Sequence, residues 1–204
     1  NIMKLYFSPG ACSMAPHIVL REAGYRFDLD KLDRATKHTA SGEDYTQINP
    51  NGYVPALRLD DGQVLTEGSV IMQYLADQKP DAGLAPKAGT MERYRLMEWL
   101  NFISSEVHKT LGALFNPKIT PEWKEGRVAL FGRRCDHLAR ALGNKPYLMG
   151  DKFSIADAYL YTVLSWTGFL KVDMGKWPTL KDYTAHINAR PAVKEAMRAE
   201  GLIK

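Results

Sequence analysis

The sequence predicts an α/β segment followed by an all-α one. Three observations carry this reading. Strand-like and helix-like hydrophobic periods alternate through the first 80 residues, a stretch holding two prolines and two glycines spans residues 78–89, and beyond it only the helical period recurs. Met3 to Phe7 reads as a short strand, and Ser8-Pro9-Gly10-Ala11 as a turn. A helix follows from about Ser13 to Ala23, with Met14, Ile18 and Val19 at helical spacing and Gly24 as its stop. Alternation around Phe27 and Leu29 marks a second strand over 25–32. Residues 33–52 are polar and irregular, with one short helix near Glu43 to Ile48. Val54 to Leu59 is a strand entered through a proline. Asp61-Gly62 is a hairpin signal, and Gln63-Val64-Leu65 is the returning strand. Glu67 to Asp77 forms a helix with Val70, Ile71, Tyr74 and Leu75 on one face. The order is βαβ, then ββα.

After the Pro/Gly stretch, Thr90 to Phe115 reads as one long helix. Pro121 to Leu142 is a second, with proline in the first turn, where its missing N–H is not needed. Ser154 to Leu170 is a third, and Pro178 to Ala189 and Pro191 to Glu200 are two short ones. The expected division is 1–80, a linker over 81–89, and a helical part over 90–204. Met3 is the expected native start, with Asn1-Ile2 an addition before it.

Composition excludes several classes. The chain has 204 residues, 45% apolar and 25% charged, which suits a folded soluble protein rather than a disordered one. No run approaches the roughly 20 apolar residues that span a bilayer; the most apolar stretch, Ile155 to Trp166, is short and carries Asp157. Residues 1–80 hold eight Lys/Arg against ten Asp/Glu, and the rest nineteen against thirteen. No basic run exceeds Arg133-Arg134, so the basic half reads as solvated helix faces, and nucleic acid is not an expected partner. Two cysteines form no disulfide framework and suit a reducing, cytoplasmic compartment. The five histidines are scattered and neither CxxC nor HExxH occurs, so no metal site is expected. Neither GxGxxG nor GxxxxGK[ST] occurs.

Four constellations have the chemistry for a site. Cys12 sits where a strand and turn lead into a helix. The N–H groups and partial positive charge of a helix start favour a thiolate, and Ser13 is placed to cap the helix or donate to the sulfur. Position 15 is Ala, so no second cysteine is there to resolve a disulfide. At Gly52-Tyr53-Val54-Pro55, a cis bond before Pro55 would turn the Val54 N–H and C=O outward for an extended peptide. By frequency alone the trans form is favoured, since only about 5–6% of X–Pro bonds are cis. Thr66-Glu67-Gly68-Ser69 opens a helix whose N–H groups suit a ligand carboxylate, and Gly68 is unusual if it lies inside the helix. On the long helix, Asn101, Ser105, His108 and Gly112 form a polar stripe flanked by Glu106 and Lys109. Leu96, Leu100, Ile103, Val107, Leu111 and Leu114 form the apolar one.

These features, in this order, resemble the beta class of glutathione S-transferases, a mostly bacterial group. The resemblance runs from Met3 to Lys204. It rests on Lys4-Leu5-Tyr6-Phe7-Ser8-Pro9-Gly10-Ala11-Cys12-Ser13, Gly52-Tyr53-Val54-Pro55-Ala56-Leu57, Leu65-Thr66-Glu67-Gly68, Trp99-Leu100-Asn101 through His108-Lys109, and Phe153-Ser154-Ile155-Ala156-Asp157-Ala158. It implies a thioredoxin-like glutathione-binding domain followed by an all-helical domain, in a cytoplasmic homodimer that conjugates glutathione to small apolar electrophiles in detoxification. Cys12 matches the class's cysteine beside the glutathione sulfur, with Ser13, His108 and Lys109 in the catalytic set. Pro55 matches a cis-proline, which reverses the expectation from frequency. Glutathione contacts are implied for Ala11, Cys12, Lys37, Val54, Pro55, Glu67 and Gly68. A glutathione contact is also implied for Ser105, and Asn101 and Glu106 match residues that reach the glutathione of the other subunit. Leu111, Phe115 and Trp166 are the implied apolar pocket. Ser154 and Asp157 match a helix-capping box, a folding role. One departure stands: many members carry Ser or Thr where this chain has Gly68. Two other functions stay open from the residues: a glutathione-dependent thiol–disulfide oxidoreductase, peroxidase or reductive dehalogenase acting through a Cys12 mixed disulfide, and a carrier of apolar ligands.

Overall fold

The computed structural model describes residues 2–204; Asn1, part of the expected addition before Met3, lies outside them. The chain divides into two units. One runs to Ala85 and takes in Arg190–Lys204; the other is Pro86–Ala189.

The first unit is a five-stranded mixed sheet with helices. Its strands are β1 (Met3–Phe7), β2 (Phe27–Asp33), β3 (His38–Thr39), β4 (Ala56–Arg58) and β5 (Val64–Thr66), in the order β3-β2-β1-β4-β5. β1 pairs parallel with β2 and antiparallel with β4, with Leu5 opposite Leu29 and Leu57. A parallel pair needs a crossover, and α1 (Met14–Glu22) supplies it. As the central strand, β1 is covered on both faces: Leu5 and Tyr6 are fully buried and Phe7 nearly so. α1 is buried from Met14 to Leu20 and ends at Gly24, whose φ of 73° few other residues adopt. α2 (Tyr45–Ile48) is capped by Asp44.

Three details depart from the sequence reading here. The strand β3 was hidden in the polar stretch. α3 (Gly68–Gln78) buries Ile71, Met72, Leu75 and Ala76, so its inner face is rotated from the expected one and leaves Val70 exposed. The sequence reading keeps the last helix, α10 (Pro191–Ala199), with the helical half, whereas it packs on α1 in the first unit. There Arg190 forks onto the Glu22 carboxylate at 2.8 and 3.0 Å, and Val193 and Ala196 are buried.

The second unit is helical: α4 (Met91–Phe102), α5 (Lys109–Gly112), α6 (Pro121–Leu142), α7 (Ile155–Leu164), α8 (Trp166–Phe169) and α9 (Pro178–Asn188). Thr90 and Thr120 cap α4 and α6 by accepting from Arg93 and Trp123 N–H groups. The single helix expected over 90–115 is instead interrupted. A π-helical segment, Ile103–His108, separates α4 from α5, and a 3₁₀ turn, Ala113–Phe115, ends the run. Two hydroxyls bracket the π segment: Ser105 Oγ donates to the Asn101 carbonyl at 2.9 Å, and Thr110 Oγ1 to that of Glu106 at 2.6 Å. Such bonds compete with the regular backbone ladder and loosen it locally. The apolar stripe survives: Leu96, Leu100, Ile103, Val107 and Leu111 are buried. The capping box forms as expected, with Ser154 accepting from Ala156 N–H and Asp157 Oδ2 accepting from Ser154 N–H at 2.9 Å. Asp157 also takes bonds from Leu148 N–H and the Tyr183 hydroxyl, which tie α7 to α9. No helix among the described residues is long and apolar enough to cross a membrane.

Candidate functional site

In the first unit, Cys12 lies two residues before α1, in a turn closed by the Ala11 N–H donating to the Ser8 carbonyl at 3.1 Å. It is half-buried, and its thiol donates to the Val54 carbonyl at 3.2 Å. The Val54–Pro55 bond is cis, as the family resemblance implied and as frequency alone did not. Pro55 is buried beneath that loop, and a Cβ on Gly68 would meet Pro55 Cγ at 3.7 Å. The structure therefore brings Cys12, Val54, Pro55 and Gly68 together. Two helix starts meet at one loop: α1 through Cys12 and α3 through Gly68, its first residue. At α1 the Met14 and Ala15 N–H groups already donate to the Ala11 and Cys12 carbonyls and Pro16 has none, so that end offers a thiolate partial positive charge, while the start of α3 suits a carboxylate.

Gly68 opens the helix and is not in its interior, so the expected helix-interior penalty does not arise, and a Cβ there would make only ordinary contact with Pro55. The unusual residue is its neighbour. Glu67 is exposed and sits at φ 70°, ψ 112°, a conformation few side chains adopt, and it makes no side-chain capping bond. Strain of roughly 1–3 kcal/mol is typical of such a position and gathers where ligands are held. Lys37 is also at positive φ, 63°, in an exposed turn whose carbonyl accepts from Tyr45 N–H; no contact joins its side chain to the Cys12 group.

Ser13 corrects an expectation. It neither caps α1 nor donates to sulfur. Its hydroxyl is fully buried, donates to the Ser8 carbonyl and accepts from Ser8 N–H, both at 3.2 Å, and so staples the turn. The loop before Pro55 is held by residues the sequence reading did not single out. Tyr45 OH and Asn49 Nδ2 both donate to the Tyr53 carbonyl, at 2.6 and 2.8 Å, and Asn49 Oδ1 accepts from Asn51 N–H. Behind the Cys12 turn lies a buried relay. Arg21 Nε donates to His17 Nε2 at 2.9 Å, His17 Nδ1 faces Glu200 Oε2 at 2.6 Å, and Glu200 Oε1 accepts from Gly10 N–H at 2.9 Å. Tyr6, the hydroxyl nearest the start of the chain, is bonded to Glu43 at 2.8 Å; burial and that bond push its ionisation up, which leaves it a structural donor.

In the second unit, His108 ends the π segment. Its Nδ1 is 2.6 Å from Tyr159 OH, and its ring meets Trp166 edge-on with centroids 5.0 Å apart. Phe115 meets the other expected pocket residue, Trp166, at 5.6 Å. Burial, with the neighbouring Lys109 charge, lowers the His108 pKa to about 4, so the ring is neutral at pH 7. His108, Phe115 and Trp166 are thus one aromatic group. Leu111 is not on its open side: it is fully buried in the core. Asn101, Ser105 and Lys109 are exposed, as the polar stripe implied, while Glu106 pairs with Arg134 at 3.0 Å. Tyr159 was missed because a tyrosine in so apolar a helix reads as core. Cys135 is buried in α6, and burial pushes its thiol up to about 12, beyond nucleophilic use. Among the described residues no group of three or more His, Cys, Asp or Glu is placed to hold a metal ion.

Comparison with known proteins places this geometry. Residues 10–78 match the family model "Glutathione S-transferase, N-terminal domain", and residues 103–191 match "Glutathione S-transferase, C-terminal domain". The chain is 43% identical over 200 residues to glutathione S-transferase GstA of Escherichia coli O157:H7, covering 98% of this chain and all of the relative. A crystal structure of a glutathione transferase from Methylococcus capsulatus str. Bath superposes with a TM-score of 0.97 at 58% identity, over 99% of this chain and 100% of the other. A bacterial beta-class glutathione S-transferase of Sphingomonas chungbukensis does so at 0.94 and 46%, over 98% and 100%.

Proposed function

The chain belongs to the glutathione S-transferase family, in its bacterial beta class, and we propose how its residues divide the work of joining the glutathione sulfur to an electrophilic carbon. In that reaction the thiol proton is lost, a carbon–sulfur bond forms, and the displaced group leaves with its bonding electrons. The protein's part is to orient the tripeptide and favour its thiolate.

The observation that carries the reading is the Cys12 thiol lying 3.2 Å from the Val54 carbonyl where two helix starts converge. The Val54 backbone pairs with the cysteinyl unit of glutathione as an added strand. Its carbonyl has a second lone pair to offer beside the one the Cys12 thiol uses. Glu67 and the N–H groups of Gly68 and Ser69 hold the γ-glutamyl end, and the strained Glu67 backbone supports that role. Lys37 takes the glycyl carboxylate, and Ala11 and Pro55 shape the sulfur's surroundings. Cys12 stands beside the glutathione sulfur, and Ser13 acts through the backbone of its turn. His108 and Lys109 complete the catalytic set, and Phe115 and Trp166 favour small apolar electrophiles. With Leu111 buried, its part in that pocket is to pack behind the others.

The working form is a homodimer in which Asn101 and Glu106 serve the partner's glutathione, and Ser105 is a further glutathione contact. Met91, Tyr94 and Met97, three residues apart along α4, are exposed at 63%, 53% and 39%, which suits burial against a second copy. The setting is cytoplasmic and the role detoxification. Full-length similarity to named transferases favours conjugation over the disulfide-exchange and carrier readings.

The test is retention on immobilised glutathione, elution with free glutathione, and turnover on a chlorinated aromatic compound. The expected result is retention and release of one chloride per conjugate. A protein that is neither retained nor active on such electrophiles overturns the assignment.

A further inference from the structure

For glutathione to add a strand at Val54, the Val54 N–H must face outward. That N–H belongs to the same planar trans unit as the Tyr53 carbonyl, and in such a unit the two groups point in opposite directions. Whatever fixes the carbonyl therefore aims the N–H. Two side chains fix it. The Tyr45 hydroxyl donates to the Tyr53 carbonyl at 2.6 Å and Asn49 Nδ2 does so at 2.8 Å, which occupies both lone pairs of the oxygen. The Asn49 amide is held at its other end too, because its Oδ1 accepts from Asn51 N–H at 3.1 Å.

Both donors come from one element of the first unit. Tyr45 opens the single-turn helix α2, and Asn49 is its C-cap, with the Asn49 N–H donating to the Tyr45 carbonyl at 2.9 Å. Gly52, at φ 74°, closes the following turn by donating to the Asn49 carbonyl at 2.8 Å, and this brings Tyr53 back to the two side chains. The Tyr45 ring is fully buried, 5.6 Å from that of Tyr6, and the Val54 side chain packs on the same cluster. Burial pushes the Tyr45 phenol up to about 12, so it keeps its proton and donates at pH 7. The next carbonyl, that of Val54, accepts the Cys12 thiol at 3.2 Å. We propose that Tyr45 and Asn49 are positioning residues for glutathione: together they hold the Tyr53 carbonyl inward and so present the Val54 N–H to the cysteinyl carbonyl of the tripeptide. This rests on the proposed pairing of Val54 with the cysteinyl unit. Neither side chain acts on the reacting atoms, so the pair sets affinity and not the chemical step.

The experiment combines NMR of the full chain at pH 7 with calorimetric titration and steady-state kinetics. In the free wild-type protein the Val54 N–H is expected to exchange quickly with solvent, and saturating S-methylglutathione is expected to slow it at least roughly tenfold. A Val54 N–H already protected in the free protein overturns the proposal. Tyr45→Phe, which keeps the ring, and Asn49→Ala are each expected to move the Tyr53 carbonyl carbon resonance upfield. Each should weaken S-methylglutathione binding about fivefold and raise KM for glutathione likewise, with kcat within about twofold. The double variant is expected to lose roughly thirtyfold or more in affinity. A Tyr53 resonance unmoved in the double variant, or a fall in kcat with KM unchanged, overturns the proposal. Tyr25→Phe is the control: it removes another phenol-to-carbonyl bond in the first unit, 2.6 Å to Leu75, and should leave affinity within about twofold. An equal loss of affinity there marks general loosening and overturns the proposal. If the wild-type protein binds neither glutathione nor its S-methyl form, the proposed function falls, while the free-protein exchange and the carbonyl shift still decide what Tyr45 and Asn49 hold.

Discussion

Replacing Glu200 by Ala tests whether the relay behind the Cys12 turn supports the first unit. The Glu200 side chain is fully buried and both its carboxylate oxygens are used: Oε1 by Gly10 N–H at 2.9 Å, Oε2 by His17 Nδ1 at 2.6 Å. Because Arg21 Nε donates to His17 Nε2, the ring proton is on Nδ1, facing Glu200. Each bond to a charged acceptor contributes about 1.5–3 kcal/mol, so losing both costs about 3–6 kcal/mol and leaves the fully buried His17 with its donor unpaired. At roughly 2–4 °C per kcal/mol for a chain of this size, the melting temperature should fall by about 6–24 °C. Calorimetry and urea unfolding at pH 7 measure this. Glu200→Gln is the graded control: it keeps an acceptor for Gly10 N–H but turns an NH₂ toward His17 Nδ1–H. The ring cannot adapt by moving its proton to Nε2 without losing Arg21, so a loss of about 1–3 kcal/mol is expected. A Glu200→Ala protein within about 0.5 kcal/mol of wild type, or a Gln variant less stable than the Ala one, refutes the reasoning.

Three further outcomes follow from geometry already described. Cys12→Ala should keep measurable conjugation yet form no adduct when treated with oxidised glutathione, as read by intact mass; in the wild-type protein the Cys12 thiolate displaces one glutathione from that disulfide and keeps the other. Loss of all conjugation with glutathione affinity intact would count against it. The neutral His108, at about 4 against about 6.5 in the unfolded chain, makes the unfolded state bind the extra proton first, so stability is greatest above pH 6.5 and falls by about 2–3 kcal/mol as pH drops toward 4. Urea midpoints for His108→Gln at pH 4.5 and 7.5 should lack that part of the slope. Glu67→Gly should relieve the positive-φ strain and raise stability by about 1 kcal/mol while weakening glutathione binding at least tenfold, checked by urea unfolding and calorimetric titration.

Elements whose signals are local were readable in the sequence. The βαβ–ββα order, the Gly24 stop, the Pro121 start and the Ser154–Asp157 box all follow from residues within a few positions of one another. What escaped depends on distant partners. Ser13 is a standard capping residue by position, yet its hydroxyl goes back to Ser8. The π segment arises where hydroxyls of Ser105 and Thr110 take helix carbonyls, and the same residues fit an ordinary helix equally well on paper. Glu200 and His17 are 183 residues apart, and neither looks unusual alone. The cis bond before Pro55 entered only through family resemblance, because local chemistry favours trans.

The unit that bears Cys12 is discontinuous, and this bears on its biosynthesis. A ribosome releases residues up to Ala85 long before Arg190–Lys204, with the whole of Pro86–Ala189 made in between. Glu200, which fastens the Gly10 amide, and Arg190, which grips Glu22, are among the late arrivals. A nascent chain can pair its five strands early, but it must wait for translation to run its course before the thiol-bearing turn receives its last fastenings.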